Sequence, residues 1–146
     1  MKAELIWKEK MHLAIQIDGF TIEADSGPPF GEGKHPTPKQ LLLSSMASCT
    51  SMDVISLLKK YKQEFTSFAV TAEAPTATTM PPVFTECVFT FRVEGSVDPL
   101  KLNEAIHLSL SKYCPVNAMV SKVVPISWIG VVNGIESGEG RAEFTI

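Results

Sequence analysis

Between Leu41 and Tyr61 the chain runs without proline or glycine, and leucine, isoleucine, valine and methionine fall on nearly every face of the helix it would form. A start signal precedes it. In Thr37-Pro38-Lys39-Gln40 a hydroxyl stands at the N-cap, proline at the first helical position, and glutamine where it can return to the cap amide. Lys59 and Lys60 close the segment, where cations suit the negative end of the helix dipole. A helix so apolar around its circumference must be buried, in the protein or at a subunit contact. One small sheet cannot cover it alone, so a second copy of the chain is expected to share in its cover.

The flanks have strand character. Glu4–Trp7, Leu13–Ile17 and Phe20–Ile22 cluster or alternate apolar residues around turn signals such as Asp18-Gly19, which predicts two or three antiparallel strands. Asp25 to Pro36 is rich in glycine and proline and reads as a loop of functional length. After the helix, Phe65 to Ala74 and Val83 to Glu94 read as a hairpin across a Pro75–Pro82 loop. Asp98-Pro99 caps a second helix whose Leu102, Ile106, Leu110 and Tyr113 recur at helical spacing. Cys114-Pro115 opens a short third helix, Val123 to Val132 reads as a strand, and Asn133-Gly134 starts a turn. The last dozen residues pair as an edge strand or trail free.

At 146 residues the chain has the length of one domain, and its 45% hydrophobic and 20% charged residues exclude disorder. A net charge of −3 with two isolated arginines leaves no basic stripe for nucleic acid. No apolar run is read as long enough to cross a bilayer, and the Met1–Leu5 start lacks a signal-peptide core, which together predict a cytoplasmic protein without membrane partners.

Three cysteines at irregular spacing form neither a secreted disulfide framework nor a zinc clamp. Cys49 lies mid-helix among Ser45, Ser48, Thr50, Ser51 and Asp53, a density of short polar groups that an apolar helix does not need unless something polar faces it. Cys114 falls at an N-cap, where free amides lower a thiol pKa and favour reactivity. Cys87 is in phase with Phe89 and Phe91 and reads as core filling. His12, His35 and His107 lack metal-binding spacing, so no metal is expected. Gly31-Glu32-Gly33-Lys34 lacks the second half of a phosphate loop and reads as a flexible turn.

Pro38-x-x-Leu41-Leu42-Leu43 leading to Ser48-Cys49-Thr50, with Asp53 to Lys59 behind it, resembles the central-helix signature of the OsmC/Ohr family. Leu108 to Val116 resembles that family's second-cysteine segment, and the similarity runs over roughly residues 1 to 132, leaving 133–146 as a C-terminal extension of a single domain. The resemblance implies an α+β fold of antiparallel sheets wrapped around a long buried central helix, in an intertwined homodimer with thiol pairs near the subunit contact. It also implies that Cys49 attacks a hydroperoxide and becomes a sulfenic acid, that Cys114 condenses with it, and that an external dithiol resets the pair without a cofactor.

The family's organic-hydroperoxide branch carries a glutamate after the helix-start proline and an early arginine. Here Lys39 and Gln40 follow Pro38, and no arginine precedes Arg92, which places the sequence nearer the OsmC-like branch. Lys39, Gln40 and Asp53 are therefore candidates for substrate binding or thiol activation, with Lys34 or Lys39 as a substitute cation. The helix dipole fades within a turn and Cys49 lies about 18 Å from the cap. Asp53, one turn beyond Cys49, would oppose a thiolate if ionised nearby. The alternative is a non-catalytic module holding a hydrophobic small molecule in an apolar groove.

Overall fold

A computed structural model describes residues 1–145. Its backbone contacts separate two units, residues 1–42 and the remainder.

In the first unit β1 (Ala3–Glu9), β2 (His12–Ile17) and β3 (Phe20–Ala24) form a three-stranded antiparallel sheet. The β2–β3 turn is the expected Asp18-Gly19, both with positive φ (43° and 94°), the twist a tight hairpin requires. The following loop is not a flexible turn. Asp25 is buried, and its carboxylate accepts hydrogen bonds from the backbone amides of Ser26, Glu32 and Lys34 at 2.7, 3.1 and 3.2 Å. Gly31 packs against this knot so closely that an added Cβ would lie 2.0 Å from the Ser26 carbonyl oxygen. The Asp25 amide then donates to the Pro36 carbonyl at 3.1 Å, so the end of the loop is tied back to the end of β3.

Helix α1 (Pro38–Lys60) begins with the expected capping box: Gln40 N donates to Thr37 Oγ1 at 3.3 Å and Thr37 N to Gln40 Oε1 at 2.8 Å. By length and composition it is apolar enough to cross a membrane, contrary to the expectation that no segment is. Its serines and Asp53 interrupt the run that the eye follows in the sequence. Its buried stripe, Met46, Thr50, Val54 and Leu58 at four-residue spacing, belongs to a packed protein core. The helix is less covered than expected, however, with Leu42 and Met52 exposed.

The second unit holds a four-stranded sheet in the order β4 (Glu64–Glu73), β5 (Cys87–Ser96), β6 (Ile126–Val132), β7 (Ile135–Arg141). The β4–β5 hairpin forms, but β5 starts at Cys87 because Thr76 and Phe84 bridge inside a longer loop. Strands β5 and β6 run parallel, so the sheet is mixed; their connection carries helices α2 (Pro99–Leu108) and α3 (Pro115–Val120), the long crossover that a parallel pair needs. Alternate residues Cys87, Phe89, Phe91 and Val93 point inward against Met46, Val54, Leu58, Leu102 and Ile106. Full burial of each large side chain contributes about 1.5–3 kcal/mol.

Residues 135–141 do not trail. Strand β7 pairs antiparallel with β6 through the Asn133-Gly134 turn, and Asn103 of α2 donates to the Ser137 carbonyl at 2.7 Å while accepting from Ser137 Oγ at 2.8 Å. Gly138 makes room for that clasp: a Cβ there would meet Asn103 Nδ2 at 2.5 Å.

Candidate functional site

Cys49 lies half-buried at the edge of the α1 stripe, between the buried Met46 and Thr50. Opposite it the second helix does not end as an α-helix. Ser109–Tyr113 form a π-helical turn, closed by Cys114 N donating to Ser109 O at 3.0 Å across five residues. The wider turn carries one extra residue and re-aims the chain, a distortion frequent at functional sites. Cys114 then takes extended backbone as the N-cap of α3, with Pro115 behind it and Asn117 N donating to its sulfur at 3.4 Å.

The two thiols meet. Cys114 Sγ lies 2.8 Å from Cys49 Sγ, although the residues are 65 positions apart. That is longer than a disulfide bond of about 2.05 Å, and both sulfurs are free thiols. Buried polar groups fix the contact from both sides. Ser109 Oγ donates to Asp53 Oδ2 at 2.9 Å and lies 2.7 Å from Thr50 Oγ1, joining the π-turn to the helix that bears Cys49. Asn117 Nδ2 donates to the Met46 carbonyl at 3.1 Å, holding α3 against the same stretch.

The electrostatics correct the expectation for Cys114. Burial pushes its thiol up to about 12, helped by the hydrogen bond with Cys49 and by the charge of Asp53, against a lowering effect from the Asn117 amide. A single cap amide is outweighed by complete desolvation. Cys114 therefore holds its proton. Cys87 is core, as expected: it is fully buried at the start of β5, and burial raises it to about 11.

The remaining candidates separate. Asp53 belongs to the cysteine site through Ser109. Gln40 is used in the helix cap, and Lys39, in the same first turn, stands about 15 Å up the helix axis from Cys49. Arg92 donates to Thr71 Oγ1 at 2.9 Å on the β4–β5 pair. Sequence reasoning missed Ser109 and Asn117. Ser109 had a readable signal, a polar residue four positions after Ala105 on the buried face of α2; Asn117 had none beyond its place three residues after a capping cysteine.

A second cluster also escaped the histidine spacing. His12 and His35 stack with ring centroids 4.5 Å apart, and Glu23 lies between their nitrogens.

The model of the OsmC-like protein family matches residues 31–129, which includes both cysteines and the segments that position them. The chain is an OsmC-like protein. Protein YhfA of Escherichia coli is 29% identical over 129 residues, covering 87% of this chain and 94% of that protein. A hypothetical protein from Aquifex aeolicus is 28% identical with a TM-score of 0.82, covering 90% of this chain and 95% of its own. An organic hydroperoxide resistance protein from Elizabethkingia anophelis shares the fold at a TM-score of 0.70 and 14% identity, covering 91% of this chain and 97% of its own. The OsmC-like fold, with its two sheets and central helix, is thus the frame in which Cys49 and Cys114 meet.

Proposed function

We propose that this OsmC-like protein is a cysteine-based peroxidase that reduces organic hydroperoxides in peroxide defence. The observation that carries the reading is the 2.8 Å contact between Cys49 and Cys114. Cys49, as thiolate, attacks the terminal oxygen of the peroxide; the O–O bond breaks, the alcohol leaves with a proton, and Cys49 becomes a sulfenic acid. Cys114 condenses with it, forming the disulfide and releasing water. An external dithiol then exchanges with the disulfide and is itself oxidised, returning both thiols. The hydroperoxide-resistance naming of structural neighbours supports the substrate class.

Assembly as a homodimer in the cytoplasm is part of the proposal, supported by exposed Leu42 and Met52 on α1 and by exposed Trp7 and Phe20 in the first sheet. The test is consumption of cumene hydroperoxide and of hydrogen peroxide with dithiothreitol, wild type beside Cys49→Ser. Loss of consumption in the variant is expected. No consumption by the wild type with either peroxide would overturn the reading in favour of a non-catalytic module for a hydrophobic small molecule.

A further inference from the structure

Strand pairing puts two polar side chains on one face of the first sheet. Ala14 pairs with Glu23, and His12 lies two residues before Ala14, so His12 and Glu23 are diagonal neighbours on the same side. His35 arrives from the loop that Asp25 organises, one residue before the Pro36 carbonyl that binds the Asp25 amide. Glu23 offers one carboxylate oxygen to each ring: Oε1 lies 3.5 Å from His12 Nε2 and Oε2 lies 3.2 Å from His35 Nδ1. His12 Nε2 is buried and, with Glu23 Oε1 as far as 3.5 Å, makes no hydrogen bond, which leaves its polar capacity unmet in the protein alone.

We propose that His12, Glu23 and His35 form a site for a divalent first-row transition metal ion of the zinc class. The donor set, two imidazoles and a carboxylate, is one that such ions take, and the three candidate atoms all lie within 4.8 Å of one another. With metal–ligand bonds of about 2.0–2.1 Å, the edge of a tetrahedron is roughly 3.3 Å, and each histidine nitrogen lies near that distance from one of the two Glu23 oxygens. The stacked rings must turn about their Cβ–Cγ bonds for both lone pairs to converge on the ion. An adjoining cavity of about 170 Å³, lined by His12 and His35 with Glu9, Asp25 and the Glu32–Lys34 pair, leaves room for water or a small ligand at a fourth position. Lys34 and Lys10 both pair with Glu32, which occupies that carboxylate. A bound ion would join β2, β3 and the loop leading to α1.

The proposal is independent of the thiol chemistry, and its test excludes the cysteines as ligands. Zinc titration by calorimetry on the full chain carrying Cys49→Ser and Cys114→Ser is expected to show about one equivalent bound, as in wild type. Adding Glu23→Gln, which keeps the side-chain shape, or His35→Gln, in an exposed loop, is expected to weaken binding more than about tenfold, or ~1.4 kcal/mol. Cobalt bound to wild type should show no thiolate-to-metal charge-transfer absorption. Binding that disappears with the cysteines, or that is equal in Glu23→Gln, His35→Gln and their parent while circular dichroism shows all three folded, would overturn it.

Discussion

Ser109 Oγ donates to Asp53 Oδ2 at 2.9 Å, so the residue that opens the π-turn is anchored one helical turn beyond Cys49 on α1. Thr50, fully buried beside them, completes the chain of oxygens. Within the proposed mechanism Asp53 is therefore a positioning residue, acting through Ser109. Removing a hydrogen bond to a charged group costs about 1.5–3 kcal/mol. Ser109→Ala is expected to lose on this order in urea unfolding and to slow closure of the Cys49–Cys114 disulfide after one equivalent of peroxide. Unchanged closure kinetics in a destabilised variant would reduce the network to ordinary core structure.

In the proposed mechanism the two cysteines have separable roles, readable by mass spectrometry. Cys114→Ser is expected to perform one turnover and then accumulate sulfinic acid at Cys49, because no thiol is within reach to trap the sulfenic acid. Cys87→Ser should leave the oxidation products unchanged, since Cys87 lies in the core beside Phe89 on the buried face of β5.

The raised value at Cys114 predicts how ring closure depends on pH. Its attack on the sulfenic acid needs the thiolate, whose fraction grows about tenfold per pH unit below the pKa. Burial is the largest cause of the shift to about 12, and it persists when Cys49 is a neutral sulfenic acid. Stopped-flow measurement of disulfide formation should show a rate still climbing above pH 9, with no plateau near the ordinary thiol value of 9.0.

Cys87 provides the matching stability measurement. Its pKa rises from 9.0 to about 11 on folding, so the folded chain holds this proton more tightly. The associated stability is complete below pH 9 and is lost as pH climbs from 9 to 11, on the order of 3 kcal/mol for such a shift. Cys87→Ala should start less stable because of the cavity it leaves, and should then lose less than wild type over that interval.

The exposed apolar residues predict a permanent dimer. Met52 is 70% exposed and Phe20 75%. Sedimentation at micromolar concentration should find two chains, and Met52→Glu should shift the protein toward monomer. A wild-type monomer at that concentration would remove assembly from the proposed function.

Local signals were legible and distant ones were not. Thr37, Pro38 and Gln40 announce the start of α1 because a capping box is complete within four residues. Asp18-Gly19 and Asn133-Gly134 announce their hairpins for the same reason. The cysteine pair was legible through two family-like segments. The Asp53–Ser109 bond spans 56 positions, and the parallel β5–β6 pairing is set by contacts that no local pattern encodes. The π-turn hides within helical periodicity, because Leu102, Ile106, Leu110 and Tyr113 keep nearly the same spacing with or without it. Cys114 was misjudged for a related reason: the cap amide is local, whereas the burial that overrides it is tertiary.

The parallel pairing of β5 with β6 also sets the order of events in the life of the chain. Cys87 pairs with Ile126, and the π-turn and α3 that carry Cys114 lie within the segment this pairing must close. Non-local and parallel pairings are slow to form because the entropy of closing the loop precedes the contacts that offset it. During synthesis Cys49 therefore emerges with its helix well before Cys114 has a place to stand. The two thiols can therefore come into contact only once the last strands are in place.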